Sequence, residues 1–405
     1  MNLTTRLPRT PIGTTLAACV VLVSTAGCGT LTGNTSAAEP SSPLSCTYAS
    51  SLVLLVSVHQ GAAAPQLPQS AECSVRRAIQ EHAPISIVTI EGSPRVLLNA
   101  KTWELNDGQP EKDNPEAYAD DRAAAQAEVG KVIRTATASS DGNDLTAAVA
   151  MAADQSRVGR TGPSAATLIV ADTGYSDRGA VNMTRSGMSA AEPADVADMV
   201  KRTNSCPTLA GTQVVLTGFG YSASPQPALP LFQKNNITKI WQDTFSACGA
   251  KATVAPEART GSGPRTSHTV MPVPAASEPT LPSKPQVGSS LVFRDSGTLR
   301  FAPDSADLLD PNAADETLEP FATYLKSSRQ HQVTVTGTTA NGSTRWASLK
   351  ALGLARADRI KSILVKLGAT AEQVTTVGLG YTANPPVTDP ATAALNRSIR
   401  IEVTR

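Results

Sequence analysis

Between about residue 46 and residue 250, short apolar segments alternate with patterns typical of amphipathic helices. The first apolar segment, SLVLLVSV (51–58), is uninterrupted, as expected of a parallel strand that is buried on both faces. Two further segments, ATLIVADTG (166–174) and TQVVLTGFG (212–220), are separated by a helical pattern. This alternation predicts an α/β fold with an open, mostly parallel sheet that helices cover on both faces.

A different pattern follows nearer the C-terminus. Segment 332–337, QVTVTG, alternates apolar and polar residues as a half-buried strand does. Leu352–Gly368 has apolar residues at helical spacing and ends on a glycine, a common stop for a helix. Segment 396–403, NRSIRIEV, alternates again. Together these elements predict a second, smaller α+β domain.

Several motifs in this second region follow the order of a known family. The family carries G-x-T-D after a strand, L-S-x-x-R-A at a helix start, a G-x-G-x-x-x-P turn and a final N-R-R-V-x-I strand. The matching residues are Gly337–Ala340, Leu352–Ala357, Gly378–Gly380 with Pro385, and Asn396–Ile401, preceded by an opening segment at Phe301–Leu308. The region therefore resembles the OmpA-like peptidoglycan-binding domain.

The resemblance implies a ligand and a set of residues that bind it. The family binds the diaminopimelate of peptidoglycan, whose zwitterionic head needs a cation for its carboxylate and an acceptor for its ammonium. Arg356 matches the family arginine, which grips a carboxylate through two hydrogen bonds, and a position at the helix start would add backbone donors. The alternative is a surface arginine that pairs with a nearby acid. Thr339 and Asn396 also match the family, and Arg397 either holds the ligand carboxylate or fixes the last strand.

One departure from the family pattern bears directly on binding. Ala340 stands where the family has its aspartate, and Asn341 offers only a neutral oxygen. Loss of a hydrogen bond to a charged group costs roughly 1.5–3 kcal/mol, which weakens affinity about ten- to a hundredfold. Two hypotheses follow: a domain that still binds peptidoglycan, or a structural or assembly protein that has lost ligand binding and acts through protein contacts.

The first region resembles a von Willebrand factor A domain, whose metal site uses D-x-S-x-S after the first strand. Ser57–Gly61 occupies that place without the acid, Asn143 replaces a threonine, and only Asp172 matches. A hard divalent cation needs a full set of oxygen ligands. We therefore expect a metal-free scaffold in which Asp172 caps a turn and whose surface contacts another, unidentified envelope protein. A metal-dependent adhesin or a hydrolase is the competing hypothesis.

The N-terminus predicts export. Arg6 and Arg9 precede a short apolar run that ends in Thr25-Ala26-Gly27-Cys28, similar to a bacterial lipobox. This predicts a lipoprotein signal peptide over 1–28, with palmitate-type acylation of Cys28 as the membrane anchor. The alternative is a plain secretory signal with an incidental cysteine. A polar, small-residue tether is expected over 29–45.

Four cysteines remain in the exported chain, and they allow three disulfide connectivities. Cys206 and Cys248 are expected at the same end of the first domain, which favours their pairing. Cys46 and Cys73 then pair by exclusion. No C-x-x-C occurs, so zinc and redox motifs have little support.

The remaining features set domain bounds and exclude function classes. We expect an A-like domain over 46–252, a proline-rich extended linker over 253–286 and the OmpA-like domain over 287–405. A net charge of +1 gives no support to nucleic-acid binding. The four histidines lie outside any catalytic motif, and neither G-x-S-x-G nor a phosphate-binding loop occurs. The sequence therefore predicts a non-enzymatic, cofactor-free, extracytoplasmic envelope protein.

Overall fold

The uninterrupted apolar segment near residue 51 forms an inner strand of a six-stranded sheet. The computed structural model describes residues 46, 50–159, 166–294, 297–340, 347–381 and 389–405. The strands of this sheet are β1 (Ser51–Ser57), β2 (Ile85–Ile90), β3 (Val96–Lys101), β4 (Ala166–Ala171), β5 (Gln213–Thr217) and β6 (Lys251–Ala255). Their order is β3-β2-β1-β4-β5-β6, and all neighbours are parallel except the antiparallel pair β2–β3 at one edge. The predicted mostly parallel sheet is confirmed.

Helices cover both faces of this sheet, which is why β1 has no polar side. Its helices are α1 (Gln69–Gln80), α2 (Pro115–Arg134), α3 (Leu145–Gln155), α4 (Pro193–Arg202) and α5 (Leu231–Ala247). Val53 and Leu55 of β1 belong to the core under α3, α4 and α5. Leu52 and Leu54, which point the opposite way, belong to the core under α1 and α2. Because successive strand residues face opposite sides, both sets must be apolar.

The disulfides have the predicted pairing. Cys46 is bonded to Cys73 and Cys206 to Cys248, with Cα–Cα distances of 5.5 and 5.3 Å. Cys206 follows α4 and Cys248 caps the C-terminal end of α5. The second bond therefore ties together the ends of two helices that pack on the same face of the sheet.

The segment predicted as a linker (253–286) is different in the structure. Strand β6 continues to Ala255, so the sheet extends past the predicted boundary at 252. The following residues then run along the first domain: the Ala64 amide donates to Ser262 O (3.0 Å), the Gly142 amide donates to Thr269 O (2.8 Å), and Val273 is fully buried. A proline-rich composition indicates an extended backbone, but it does not exclude docking through side-chain and edge contacts.

The C-terminal elements form a second, four-stranded sheet in an α+β arrangement. Its elements are β7 (Ser290–Arg294), α6 (Pro311–Ser327), β8 (Val333–Thr338), α7 (Leu349–Lys366), β9 (Val374–Gly380), α8 (Pro390–Asn396) and β10 (Ser398–Val403). The strand order is β7-β10-β8-β9, in which only β8 and β9 are parallel. Ile399, Ile401 and Val403 alternate inward onto α6 and α7, as the pattern of β10 predicts.

The G-x-G motif has a role other than the predicted turn. Gly378 lies inside β9, and a Cβ there would collide with the backbone of Lys350 and Leu354 in α7. Gly353 of α7 approaches Gly337 of β8 as closely, so a side chain at either position would also collide. These glycines allow α7 to lie directly on the β8–β9 pair.

The N-terminal predictions concern residues beyond those described. The signal peptide (1–28), Cys28 and the tether (29–45) lie outside the described residues. Within the described ranges, no helix combines the length and the hydropathy of a transmembrane helix.

Candidate functional site

Arg356, the expected carboxylate-binding residue, is buried in the second domain. Its side chain is 6 % exposed, Nε donates to Ser305 O (2.9 Å), and the guanidinium lies 5.1 Å from the Phe301 ring centroid. Helix α7 begins at Leu349 with Ser348 as its cap, so Arg356 lies two turns inside the helix. The prediction that Arg356 sits at the helix start was therefore wrong, and helix-end donors and dipole do not reach it.

Arg397 lines the same cavity as Arg356. Both arginines, together with Thr338 and Ser398, line a cavity of ≈10 Å³, which we call the two-arginine cavity. That volume holds about one water molecule. Arg397 donates to Asp195 Oδ2 of α4 (2.7 Å), and its side chain is 16 % exposed. No sequence pattern indicated Asp195, because the pairing spans 202 residues.

The other predicted ligand residues have separate places. Thr339 is 2 % exposed, and its Oγ1 has no hydrogen-bond partner among the described residues. Its neighbour Thr338 lines the cavity instead and donates to the Asn396 carbonyl (2.7 Å). Ala340 is buried at 7 % exposure, and Asn341 lies outside the described residues. Because side chains alternate along a strand, a one-residue difference decides which threonine faces the cavity.

A second cluster of polar side chains lies at the carboxyl ends of β1 and β4. Ser57 Oγ donates to Asp172 Oδ1, His59 Nε2 lies 3.0 Å from the same oxygen, and Asn143 Nδ2 lies 2.9 Å from His59 Nε2. All four residues are at most 2 % exposed. Parallel strands end at the same edge of a sheet, which brings these residues together. Asp172 also accepts from the Gly174 amide (2.9 Å), so the predicted turn-capping role is confirmed.

The hydrogen bonds of His59 define its charge. Nδ1 lies 2.7 Å from the Gln60 carbonyl and Nε2 lies 3.0 Å from Asp172 Oδ1, and these two acceptors favour the imidazolium form of the ring, although the amide nitrogen of Asn143 also lies 2.9 Å from Nε2. Burial alone would lower the pKa of His59, but the hydrogen bond and charge of Asp172 outweigh burial and raise it. Burial likewise opposes ionisation of Asp172, yet His59, Ser57 and the Gly174 amide lower its pKa to about 2. Each of the two groups therefore favours the ionised form of the other.

A second cation enters this cluster from the segment after β6. Arg259 is 4 % exposed and donates to Ala171 O (2.8 Å); burial lowers the pKa of its guanidinium, and the charge of Asp172 opposes that shift. Gly218 makes room for it, since a Cβ there would overlap the Arg259 side chain. The predicted place of the incomplete metal site thus contains the His59 ring, which Asp172 favours in its charged form, and the Arg259 guanidinium. This donor set does not fit a hard metal ion, which requires several oxygen ligands and no neighbouring cations.

We therefore expect calcium and magnesium to leave the thermal midpoint of the first domain unchanged. A metal ion would have to displace His59 from Asp172, and the nearby Arg259 guanidinium would repel it. The measurement is a thermal melt with millimolar calcium or magnesium beside a melt with chelator. A saturable rise in midpoint with either metal would contradict the assignment of these residues.

Comparison with known proteins finds a family match within the second domain. Residues 300–400 match the OmpA family model. Among solved structures, the periplasmic domain of Helicobacter pylori MotB is 21 % identical, with 30 % of this chain and 78 % of that chain covered and a TM-score of 0.26. The cell wall anchor of the T6SS from Pseudomonas aeruginosa is 26 % identical, with coverages of 28 % and 79 % and a TM-score of 0.24. The OmpA-like domain of FopA1 from Francisella tularensis is 23 % identical, with coverages of 28 % and 73 % and a TM-score of 0.21. A search of curated proteins found no match.

Proposed function

We propose that this protein is a non-enzymatic cell-envelope protein whose second domain binds diaminopimelate-type peptidoglycan non-covalently. The observation that carries the proposal is the convergence of Arg356 and Arg397 on one cavity within the stretch that matches the OmpA family. These arginines come from two motifs that are about forty residues apart in sequence, and a guanidinium suits the carboxylate of a stem peptide. Asn341 and Asn396 complete the proposed ligand-binding set, whereas the predicted Thr339 is buried outside the cavity lining and Thr338 takes its place.

The ligand side of the proposal assigns different roles to the two arginines. Arg356 is held by the carbonyls of Ser305 and Ala302, so it orients the cavity wall and supplies positive potential. Arg397 is the more accessible of the two and is the better candidate to contact the ligand carboxylate. Asn341 would supply a neutral acceptor for the ammonium in place of the family aspartate.

The proposal also includes export and anchoring. The lipobox-like Cys28, followed by the tether 29–45, would attach the chain to a membrane, while the second domain docks on the wall. Two disulfides support an oxidising, extracytoplasmic location. The first domain, over 46–252, would serve as an A-like scaffold that contacts another envelope protein. Tethered at both ends, the protein would couple the membrane to the cell wall.

The test is sedimentation of the full chain with purified diaminopimelate-type peptidoglycan, comparing Arg397→Gln with the wild type. Loss of a charge-assisted hydrogen bond predicts binding about ten- to a hundredfold weaker. Arg400→Gln is the matched control, since Arg400 is an arginine three residues further on, within β10, and is exposed to solvent. Equal binding of the Arg397 variant and the wild type would remove Arg397 from the site. Absence of binding by the wild type would remove the proposed function.

The competing function is that of an assembly protein that has lost ligand binding, and two observations favour it. Ala340 replaces the family aspartate, and the two-arginine cavity is too small for an amino-acid head. Ala340→Asp separates the two functions in the same assay. Near-zero binding by the wild type and a large gain in the variant indicate a decayed site, whereas binding by the wild type that changes little in the variant indicates a rearranged one.

A further inference from the structure

The second domain inserts a helix into the first. Helix α8 lies between β9 and β10, yet Ala391 and Ala394 of α8 are 1 % and 2 % exposed and belong to the core of the first domain. Gly187 of the first domain approaches α8 so closely that a Cβ there would meet the Ala391 carbonyl. Both sheets belong to one compact unit. The closely packed region around α8 immediately precedes Arg397, so it adjoins the two-arginine cavity.

Two ion pairs link the same surfaces. Arg397 contacts Asp195 of α4 at 2.7 Å, and Arg185 of the first domain contacts Asp389 at 3.0 Å. Asp389 is also the N-terminal cap of α8, where it accepts from the Thr392 amide. The ends of α8 are therefore both tied to the first domain by charge, one through its cap and the other through the arginine that follows it.

We propose that Asp195 is a built-in competitor for the ligand carboxylate, so that the first domain holds the wall-binding site closed. This inference rests on the proposed function, because it concerns the same Arg397. Asp195 presents to Arg397 the group that a stem peptide would present, a carboxylate in charge-assisted contact. Binding of peptidoglycan at Arg397 requires that this contact break and that the small cavity open.

The closed arrangement is poised to open. The Asp195 side chain is 44 % exposed and that of Arg185 is 47 % exposed, so solvent screens both ion pairs. A site that is competent for only part of the time binds with its affinity reduced by that fraction. Removal of the Asp195 charge should therefore raise peptidoglycan binding about two- to fivefold.

The experiment uses the full chain with purified diaminopimelate-type peptidoglycan and compares Asp195→Asn with the wild type. Asp198→Asn is the matched control: Asp198 lies on the same helix, is exposed, and has no ion pair among the described residues. We expect stronger binding for the Asp195 variant and unchanged binding for the control. Unchanged binding of both variants would overturn the role of Asp195 as a competitor of the ligand. Weaker binding of the Asp195 variant would also overturn it, since Asp195 would then belong to the ligand site.

Hydrogen exchange supplies a readout that does not depend on peptidoglycan. In the free protein, Asp195→Asn should increase the exchange of the α8 amides, whereas Asp198→Asn should leave them unchanged. Faster exchange together with stronger binding supports the inference. If exchange is faster but neither the wild type nor any variant binds peptidoglycan, both the inference and the proposed function fail. If the wild type binds peptidoglycan and Asp195→Asn does not change that binding, only the inference fails and the proposed function stands.

Discussion

Replacement of Asp172 with asparagine is expected to destabilise the first domain by about 3 kcal/mol. The carboxylate accepts from Ser57, His59 and the Gly174 amide in a fully buried cluster. Its loss leaves the His59 imidazolium without a counter-ion, and an unpaired buried charge is the costly consequence of breaking such a pair. Breaking a buried ion pair usually costs about 3–5 kcal/mol. We expect the lower end of that range, because His59 can lose its proton and become neutral.

The loss of unfolding free energy in Asp172→Asn should depend on pH, and the direction of this dependence follows from the two pKa shifts. The lowered pKa of Asp172 contributes stability that is present above the unfolded value of about 3.9 and is lost as the pH falls through the folded value. The raised pKa of His59 contributes stability that is present below the unfolded value of about 6.5 and is lost as the pH rises through the folded value. In the variant, burial without Asp172 lowers the His59 pKa instead. The difference in the free energy of unfolding between the wild type and Asp172→Asn should therefore be larger near pH 5 than near pH 7.5.

Urea unfolding measures this loss of stability through tryptophan fluorescence, one of whose three sources is Trp241, whose Nε1 donates to the Gly174 carbonyl two residues from Asp172. Asp198→Asn, on the surface of α4, should change the free energy of unfolding by less than about 0.5 kcal/mol. The double variant Asp172→Asn/His59→Gln should cost less than the sum of its single variants, since it removes the uncompensated charge. A cost below about 1 kcal/mol at pH 5 would show that the two residues are not paired as ions.

The sequence sufficed for those parts of the fold that depend on local pattern. The apolar run of β1 indicated burial on both faces, and the alternation in β10 indicated a sheet with one buried face. The ends of α7 differed from prediction by a few residues, and this mattered for function because it removed Arg356 from the helix start. A hydrophobic pattern predicts which face of a helix is buried more reliably than it predicts the residue at which the helix begins. The start depends on a single capping side chain, here Ser348.

The candidate sites depend on pairings that local patterns do not contain. Arg259 reaches the strand-end cluster from a segment whose prolines indicated only an extended backbone. Asp195 meets Arg397 although it lies in an unremarkable amphipathic helix of another domain. The absence of an acid at Ser57–Gly61 weighed against a metal, but nothing in the sequence indicated that the His59 ring would lie against Asp172. Tertiary packing decides these contacts.

Removal of the Cys206–Cys248 disulfide is expected to have a comparable effect on the first domain. The bond closes a loop with a sequence separation of 42 residues, and the chain-entropy treatment of such a loop gives a stabilisation of about 4 kcal/mol at 25 °C. Cys206 and Cys248 also pack against the core formed by α4 and α5, so their replacement with serine places two hydroxyls beside apolar side chains. The measurement is urea unfolding of the Cys206→Ser/Cys248→Ser double variant under non-reducing conditions.

Reduction of the wild type breaks both disulfides and should therefore cost at least as much stability as the loss of Cys206–Cys248, whereas the double variant should respond to a reductant only through Cys46–Cys73. A loss of about 4 kcal/mol is a large part of the 5–15 kcal/mol that stabilises a typical domain. The first domain would then depend on an oxidising compartment to reach its full stability, in agreement with export. If the serine variant unfolds within about 1 kcal/mol of the wild type, the packing of α4 on α5 alone holds the two helix ends together, and the disulfide gives no support for an extracytoplasmic location.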